Sequence, residues 1–394
     1  MWWIAVADAH DGGVPEPIGV HAPSDRVGLE TTLGWFERTP TGWRWACPEP
    51  LLREGAKSLP RYTLRADGLR VGAVVVAGDA ASSVVSTTVE GCEWTAAAGL
   101  EGVDVGGLAF GPDGTLWLAA DAPGAVWSSA DDGRGFVREL DQPGWRIRSV
   151  VATSDGVWAA AGNEDAGALW RRRDGTWERF EMPTTGDVEV LAALGDVAWV
   201  RVDPFGSDRL LRFDGTTFEE VLEGDGLEIL DVELTTDGRV WAIVGGRFLY
   251  RSDDGGRSFA RVVDAPETTA IAAQGDALWL ATRSAVEHVA LVRLEAGVYT
   301  DELDLLDVLG PLDCPAESAT AKVCDAEWPV VQSRFPGFDT GGGDTSFVQE
   351  DPGPRCGCAA AAAPGPAWLL VFAVLARRRQ NQVPSASRWF ATTT

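Results

Sequence analysis

Gly114-Thr115-Leu116-Trp117-Leu118, Gly156-Val157-Trp158-Ala159 and Gly238-Arg239-Val240-Trp241-Ala242-Ile243 are three versions of one short phrase. Each is apolar and rich in aromatic and β-branched residues, as a buried strand requires. An aspartate sits before each leading glycine (Asp113, Asp155, Asp237), giving the Asp-Gly step that accepts positive φ in a tight hairpin. The tryptophans belong to a longer series, Trp117, Trp158, Trp199, Trp241 and Trp279, at steps of 41, 41, 42 and 38 residues. A second aromatic series, Phe136, Trp177, Phe218, Phe259 and Tyr299, follows about nineteen positions behind the first. A period of this size marks a repeat protein.

One unit reads as four strands. An apolar strand at 149–153 leads through a turn to the Trp158 strand; a third strand ends near Trp170, and a fourth follows Asp174-Gly175-Thr176-Trp177. Helical repeats of this length need long stretches at 3.6-residue spacing, and none is visible. Four short strands in about 40 to 45 residues make the blade of a β-propeller, an all-β fold. Ala73-Val74-Val75-Val76 lies in the Trp-strand slot one period before Trp117, and Trp94 lies 42 before Phe136. Trp35-Phe36 with Trp43 and Trp45 adds a degenerate first unit. The expectation is seven blades over residues 18–312, or six if the first unit is an extension. Ring closure removes most sheet edges and predicts a monomer.

The turn before the last strand carries a family resemblance. Ser252-Asp253-Asp254-Gly255-Gly256-Arg257-Ser258-Phe259 resembles the Asp-box (BNR-like) pattern at every fixed position: Ser252, Asp254, Gly256, Ser258 and Phe259. Ser129, Asp131, Gly133 and Phe136 repeat it, with Gly135 in place of the hydroxyl residue. Asp-box propellers include sialidases, sortilin-like receptors and photosystem assembly factors, so the resemblance implies a fold and no one function. It implies a structural hairpin in which Asp254 and Asp131 accept backbone amides and the aromatic packs between blades.

The chain holds 59 acidic and 33 basic residues, a formal net charge of −26, which disfavours nucleic acid or an anionic membrane as partner. Residues 313–336 read as a helix-like segment, bounded near its start by Cys314 and Cys324, and residues 337–355 as a polar linker. Cys356-Gly357-Cys358 follows, then an uncharged stretch ending in Arg377, Arg378 and Arg379. Eighteen helical residues span about 27 Å, close to a membrane's hydrocarbon core of about 30 Å. The arginines predict a cytoplasmic end, with the propeller outside. Residues 356–379 resemble the myxobacterial MYXO-CTERM sorting signal through Cys356-Gly357-Cys358, Ala363-Pro364-Gly365-Pro366-Ala367-Trp368-Leu369-Leu370 and the arginines. That resemblance implies a sorting protease and the membrane as partners, cleavage and lipid attachment near the cysteines, and anchoring at the cell surface or outer membrane. A tail, residues 380–394, follows. Residues 1–17 read as the remnant of a signal peptide, with Ala5-Val6-Ala7 ahead of His10.

Among the remaining cysteines, the short separation of Cys314 and Cys324 predicts a local disulfide, and Cys47 and Cys92 are expected to pair across the first two blades. No metal site and no cofactor is expected: there is no Cys-x-x-Cys pair and no histidine cluster among His10, His21 and His288. A sialidase needs a nucleophilic tyrosine, but Tyr250 and Tyr299 fall at packing positions, and the setting of Tyr62 differs from the sialidase opening. The sequence reads best as a surface-anchored, non-enzymatic propeller binding an extracellular protein or glycan. A propeller glycoside hydrolase and a purely architectural envelope protein are the alternatives.

Overall fold

The computed structural model of the chain describes residues 15–48, 60–76, 82–88, 91–100, 103–203, 207–287 and 289–335. These form seven four-stranded antiparallel sheets, each built from consecutive strands. The protein is a seven-bladed β-propeller. Blade 4 is representative: its strands are Arg146–Thr153, Gly156–Gly162, Gly167–Arg173 and Thr176–Glu181, counted from the axis outward. The first strand packs against the first strands of blades 3 and 5, while the fourth is exposed along most of its length. The inner strands of the other blades are Pro17–His21, Arg61–Leu64, Asp104–Phe110, Asp187–Leu194, Ile229–Leu234 and Thr268–Gln274.

Trp117, Trp158, Trp199, Trp241 and Trp279 all lie on the second strand of their blades and are at most 6% exposed. The repeat therefore has a physical cause: each ring fills the space between neighbouring blades. A second element accompanies it. Directly across the ladder from Trp158, Trp199, Trp241 and Trp279 stand Arg171, Arg212, Arg251 and Arg293. Arg171, Arg251 and Arg293 lie over the rings of their partners at 5.4, 5.9 and 5.8 Å from the centroid. In blade 3 the slot opposite Trp117 holds Ser128, and Arg172 of blade 4 supplies the cation instead, at 5.3 Å. Each guanidinium covers an indole that would otherwise meet water, a gain of about 0.5–1 kcal/mol per pair at such sites.

Closure of the ring is unusual in its means. Among the described residues no N-terminal strand completes blade 7, whose four strands are consecutive, as are those of blade 1. The inner strand of blade 1 packs along that of blade 7. The seam between blades 1 and 2 is filled by side chains: Trp35 and Tyr62 meet at 5.2 Å between ring centroids, and buried Arg70 pairs with Glu37 and lies over Trp35. The chain leaving blade 7 then straps this seam. Leu309 and Leu312 donate backbone bonds to Trp43 and Trp45, and Gly310 accepts one from Trp45. Ser318 caps the helix Ala319–Gln332, whose Thr320 hydroxyl donates to the Gly91 carbonyl at 2.8 Å.

The strap overturns the expected disulfides. Cys47 of blade 1 is bonded to Cys324, and Cys92 beside blade 2 to Cys314, each with Cα atoms 5.4 Å apart. Cys314 and Cys324 do not pair with each other, nor Cys47 with Cys92. The reason is the course of the chain: Cys314 precedes the helix and lies over blade 2, while Cys324 is buried on the helix face that meets the blade 1 core around Trp45 and Phe335. Each bond closes a loop of more than 200 residues. Replacing Cys47 and Cys324 together with alanine should lower unfolding stability by about 2–5 kcal/mol in denaturant titration. Peptide mapping without reduction should recover the pairs 47–324 and 92–314, and recovery of a 314–324 peptide would contradict the strap.

Candidate functional site

Inner strands that converge on an axis leave a channel, and its walls follow from what each strand points inward. At the mouth where the inner strands end, a funnel of about 730 Å³ opens. Its wall mixes aliphatic side chains, among them Leu64, Leu108 and Val151, with the polar Thr63, Thr153 and Ser154, and Phe110 lies near the rim. Arg65 also stands at the rim, already engaged with Asp67 and Asp132, each at 2.7 Å. A second cavity of about 350 Å³ continues the channel, and the two share Val20, His21 and Glu233. The opposite mouth, where the inner strands begin, is ringed by matched charges: Arg146 with Asp121 at 2.7 Å, Arg148 with Asp187 at 2.5 Å, and Arg201 with Glu189 at 2.9 Å. One end is open and of mixed polarity; the other is ringed by paired charges.

Between them sit the channel's ionisable groups. Asp231 and Glu233 project from the inner strand of blade 6 into the second cavity. Asp231 accepts the N–H groups of Val232 at 2.9 Å and Ile271 at 3.2 Å. Glu233 accepts those of Ala273 and Leu234. Each carboxylate thus clasps blade 7 to blade 6, as the Ser149 hydroxyl does between blades 4 and 5 by accepting from Val190 at 2.7 Å. His21 Nε2 lies 3.7 Å from the Glu30 carboxylate. Among the described residues no arginine or lysine forms an ion pair with Asp231 or Glu233. Removal from bulk water raises both carboxyls above the usual range, and for Glu233 the Asp231 charge adds to the rise.

The sequence-predicted site residues lie elsewhere. Ser252 donates to Asp254 at 2.6 Å and accepts the Gly256 amide at 2.8 Å; Asp254 also takes the Arg257 and Ser258 amides and the Ser258 hydroxyl. These bonds hold the Asp254 carboxyl far below the usual range. Gly256 has φ +74°, and a Cβ there would meet the Trp199 indole at 2.2 Å, so the turn seats on blade 5 through a residue that must be glycine. Phe259 packs into the same cluster as Trp199. The Ser129 turn repeats this with Asp131 accepting Ser129 Oγ and the Gly135 amide. Both turns work as staples between strands and blades, away from the channel. Cys356, Cys358, Arg377, Arg378 and Arg379 lie outside the described residues, as does the predicted membrane helix. No helix among the described residues is long and apolar enough to cross a membrane, and no three of their His, Cys, Asp or Glu side chains come together to hold a metal ion.

Sequence reasoning passed over Asp231 and Glu233. The available signal was an inner strand, Ile229-Leu230-Asp231-Val232-Glu233-Leu234, with acids at alternating positions where only one face can point at the axis.

No family model and no curated protein matches the chain. Among solved structures it is similar to virginiamycin B lyase from Staphylococcus aureus. The selenomethionine form aligns at TM-score 0.53 and 17% identity over 70% of this chain and 93% of that one. A catalytically inactive variant with quinupristin aligns at 0.52 and 14%, over 68% and 92%. YCF48 from Cyanidioschyzon merolae aligns at 0.49 and 17%, over 68% and 93%. At these identities the likeness is one of fold.

The raised carboxyls set a pH dependence. Both groups hold their protons more tightly folded than unfolded, so the stability they confer is full below the ordinary carboxylate range and is lost as pH rises through their raised folded-state values. Glu233→Gln, which keeps an oxygen acceptor for the blade 7 amide, should therefore gain stability relative to the parent between about pH 5 and about pH 8.5. Urea titrations at both pH values check this; an unchanged difference would show that Glu233 is solvated like a surface carboxylate.

Proposed function

We propose that the protein is an exported, surface-anchored, non-enzymatic propeller that takes its ligand in the axial funnel. The observation that carries this reading is the engagement of the channel carboxylates. A hydrolase needs a pair of acids free to exchange protons with substrate and water, whereas Asp231 and Glu233 are tied to backbone amides of blades 6 and 7. What remains open to a ligand is a funnel of mixed polarity within the volume range of binding pockets.

Export is supported by three features. All four described cysteines are in disulfides, which persist in oxidising compartments. The Ser252 and Ser129 turns resemble Asp boxes, and residues 356–379 resemble a MYXO-CTERM signal, which carries the processing, lipid attachment and surface delivery in this proposal. A glycoside hydrolase remains the second reading, favoured by the raised Glu233 carboxyl, since a general acid must hold its proton near neutral pH.

Two measurements test the proposal. Surface biotinylation of intact native cells should label the propeller, and lipid should be found on a peptide ending near Cys356 or Cys358; a reduced, cytosolic protein would overturn it. The purified chain should release no aryl alcohol from a panel of aryl glycosides, and turnover abolished by Glu233→Gln would establish the hydrolase instead.

A further inference from the structure

Building on the funnel as ligand site, we propose that the ligand is a small amphiphilic amine, its apolar body held by the funnel wall and its primary ammonium set against Glu233 at the inner end. The size of the space argues for a small molecule: about 730 Å³ lies inside the range of 300–1,000 Å³ typical of small-ligand pockets. Leu64, Leu108 and Val151 give the wall an apolar stretch that seats the body, between the polar Thr63, Thr153 and Ser154.

The charge of the head follows from what the channel holds and lacks. Asp231 and Glu233 line the channel half-buried with no arginine or lysine partner among the described residues, His21 being the one basic group that acts on Asp231, and a carboxylate drawn from bulk water without a full ion pair is costly. An anionic ligand reaching the same depth would meet like charge from two acids. Arg65, the cation at the rim, is committed to Asp67 and Asp132. Elsewhere around Glu233 the charged neighbours are Asp231 on its own strand, and His21 and Glu30 from blade 1; the wall from blade 7 (Ala272, Ala273) and from blade 5 (Leu191) adds no charge. A divalent ion is a poorer fit, because the carboxylates already spend lone pairs on backbone amides and no third ligand joins them. An ammonium needs only one or two acceptors and brings its own apolar chain. The net charge of −26 draws cations toward the molecule from a distance.

A proton balance accompanies binding. Glu233 tends to hold its proton in the empty channel, since burial and Asp231 both oppose its charge. Setting an ammonium beside it favours the carboxylate, so the proton leaves to solvent as the amine enters. Affinity therefore rises with pH until Glu233 is ionised in the free protein.

The test uses the full chain and three probes that share a body: 4-phenylbutylammonium, 4-phenylbutanol and 4-phenylbutanoate. Calorimetric titration in two buffers of different ionisation heat should show the ammonium binding at least about tenfold more tightly than the alcohol, with proton release. Glu233→Gln should abolish both the advantage and the release. If that variant does not fold, Asp231→Asn should reduce the same advantage. Equal binding of all three probes, lost on Leu108→Arg, would overturn the amine inference and leave the funnel as the site. Binding of none of the probes would overturn both.

Discussion

The structure depends on holding a ring shut without a shared strand. Each blade's four strands are consecutive, so no blade is shared between the two ends of the chain, and only the backbone bonds of the strap to the outer strand of blade 1 tie the end to the beginning. A ring of seven blades has seven seams, and the seam between blades 1 and 2 differs in kind. It holds a buried guanidinium, Arg70, against Glu37, with an indole on one side. A buried ion pair is weak evidence of stability, because desolvation offsets most of its attraction. The C-terminal strap lies across this seam, hydrogen-bonded to the outer strand of blade 1 and to Gly91, and both described disulfides end on it. The covalent links therefore sit where the packing is most polar, and a closed ring is what gives the channel its walls.

Between the other blades a simpler device recurs. From blade 3 round to blade 1 an indole fills each gap, an arginine stands across the ladder from it in blades 4 to 7, and at the 4–5 and 6–7 seams a side-chain acceptor on the inner strand takes an amide of the next blade. In blade 5 the device is combined with the Ser252 turn: Trp199 packs against Gly256, and Arg212 donates to the Gly255 carbonyl at 3.1 Å. In blade 6 the acceptors are carboxylates rather than a hydroxyl. That exchange leaves the architecture intact and places two acids in the channel.

How much of this could be read from the chain varies by element. The tryptophan slot was legible because one packing requirement recurs at nearly constant spacing, and it placed Trp117 to Trp279 on equivalent strands. Blade 1 blurred that rhythm: Trp35 stands on the third strand and packs in the seam with blade 2, while Trp43 and Trp45 stand on the fourth and serve the strap. The disulfide pairing was not legible. It depends on where the chain runs after blade 7, which sequence separation does not report, so two nearby cysteines were joined that the fold sends to different blades. Asp231 and Glu233 were lost among 59 acidic residues; only knowing which strand lines the axis separates them from surface charge.

The most direct measurement is amide hydrogen exchange on the full chain, oxidised and then reduced under native conditions. If the strap holds the ring closed, reduction should first release protection in the helix Ala319–Gln332 and along the seam of blades 1 and 2, while the inner strands of blades 4 to 6 stay protected. Protection lost uniformly around the ring, or unchanged at that seam, would contradict the account.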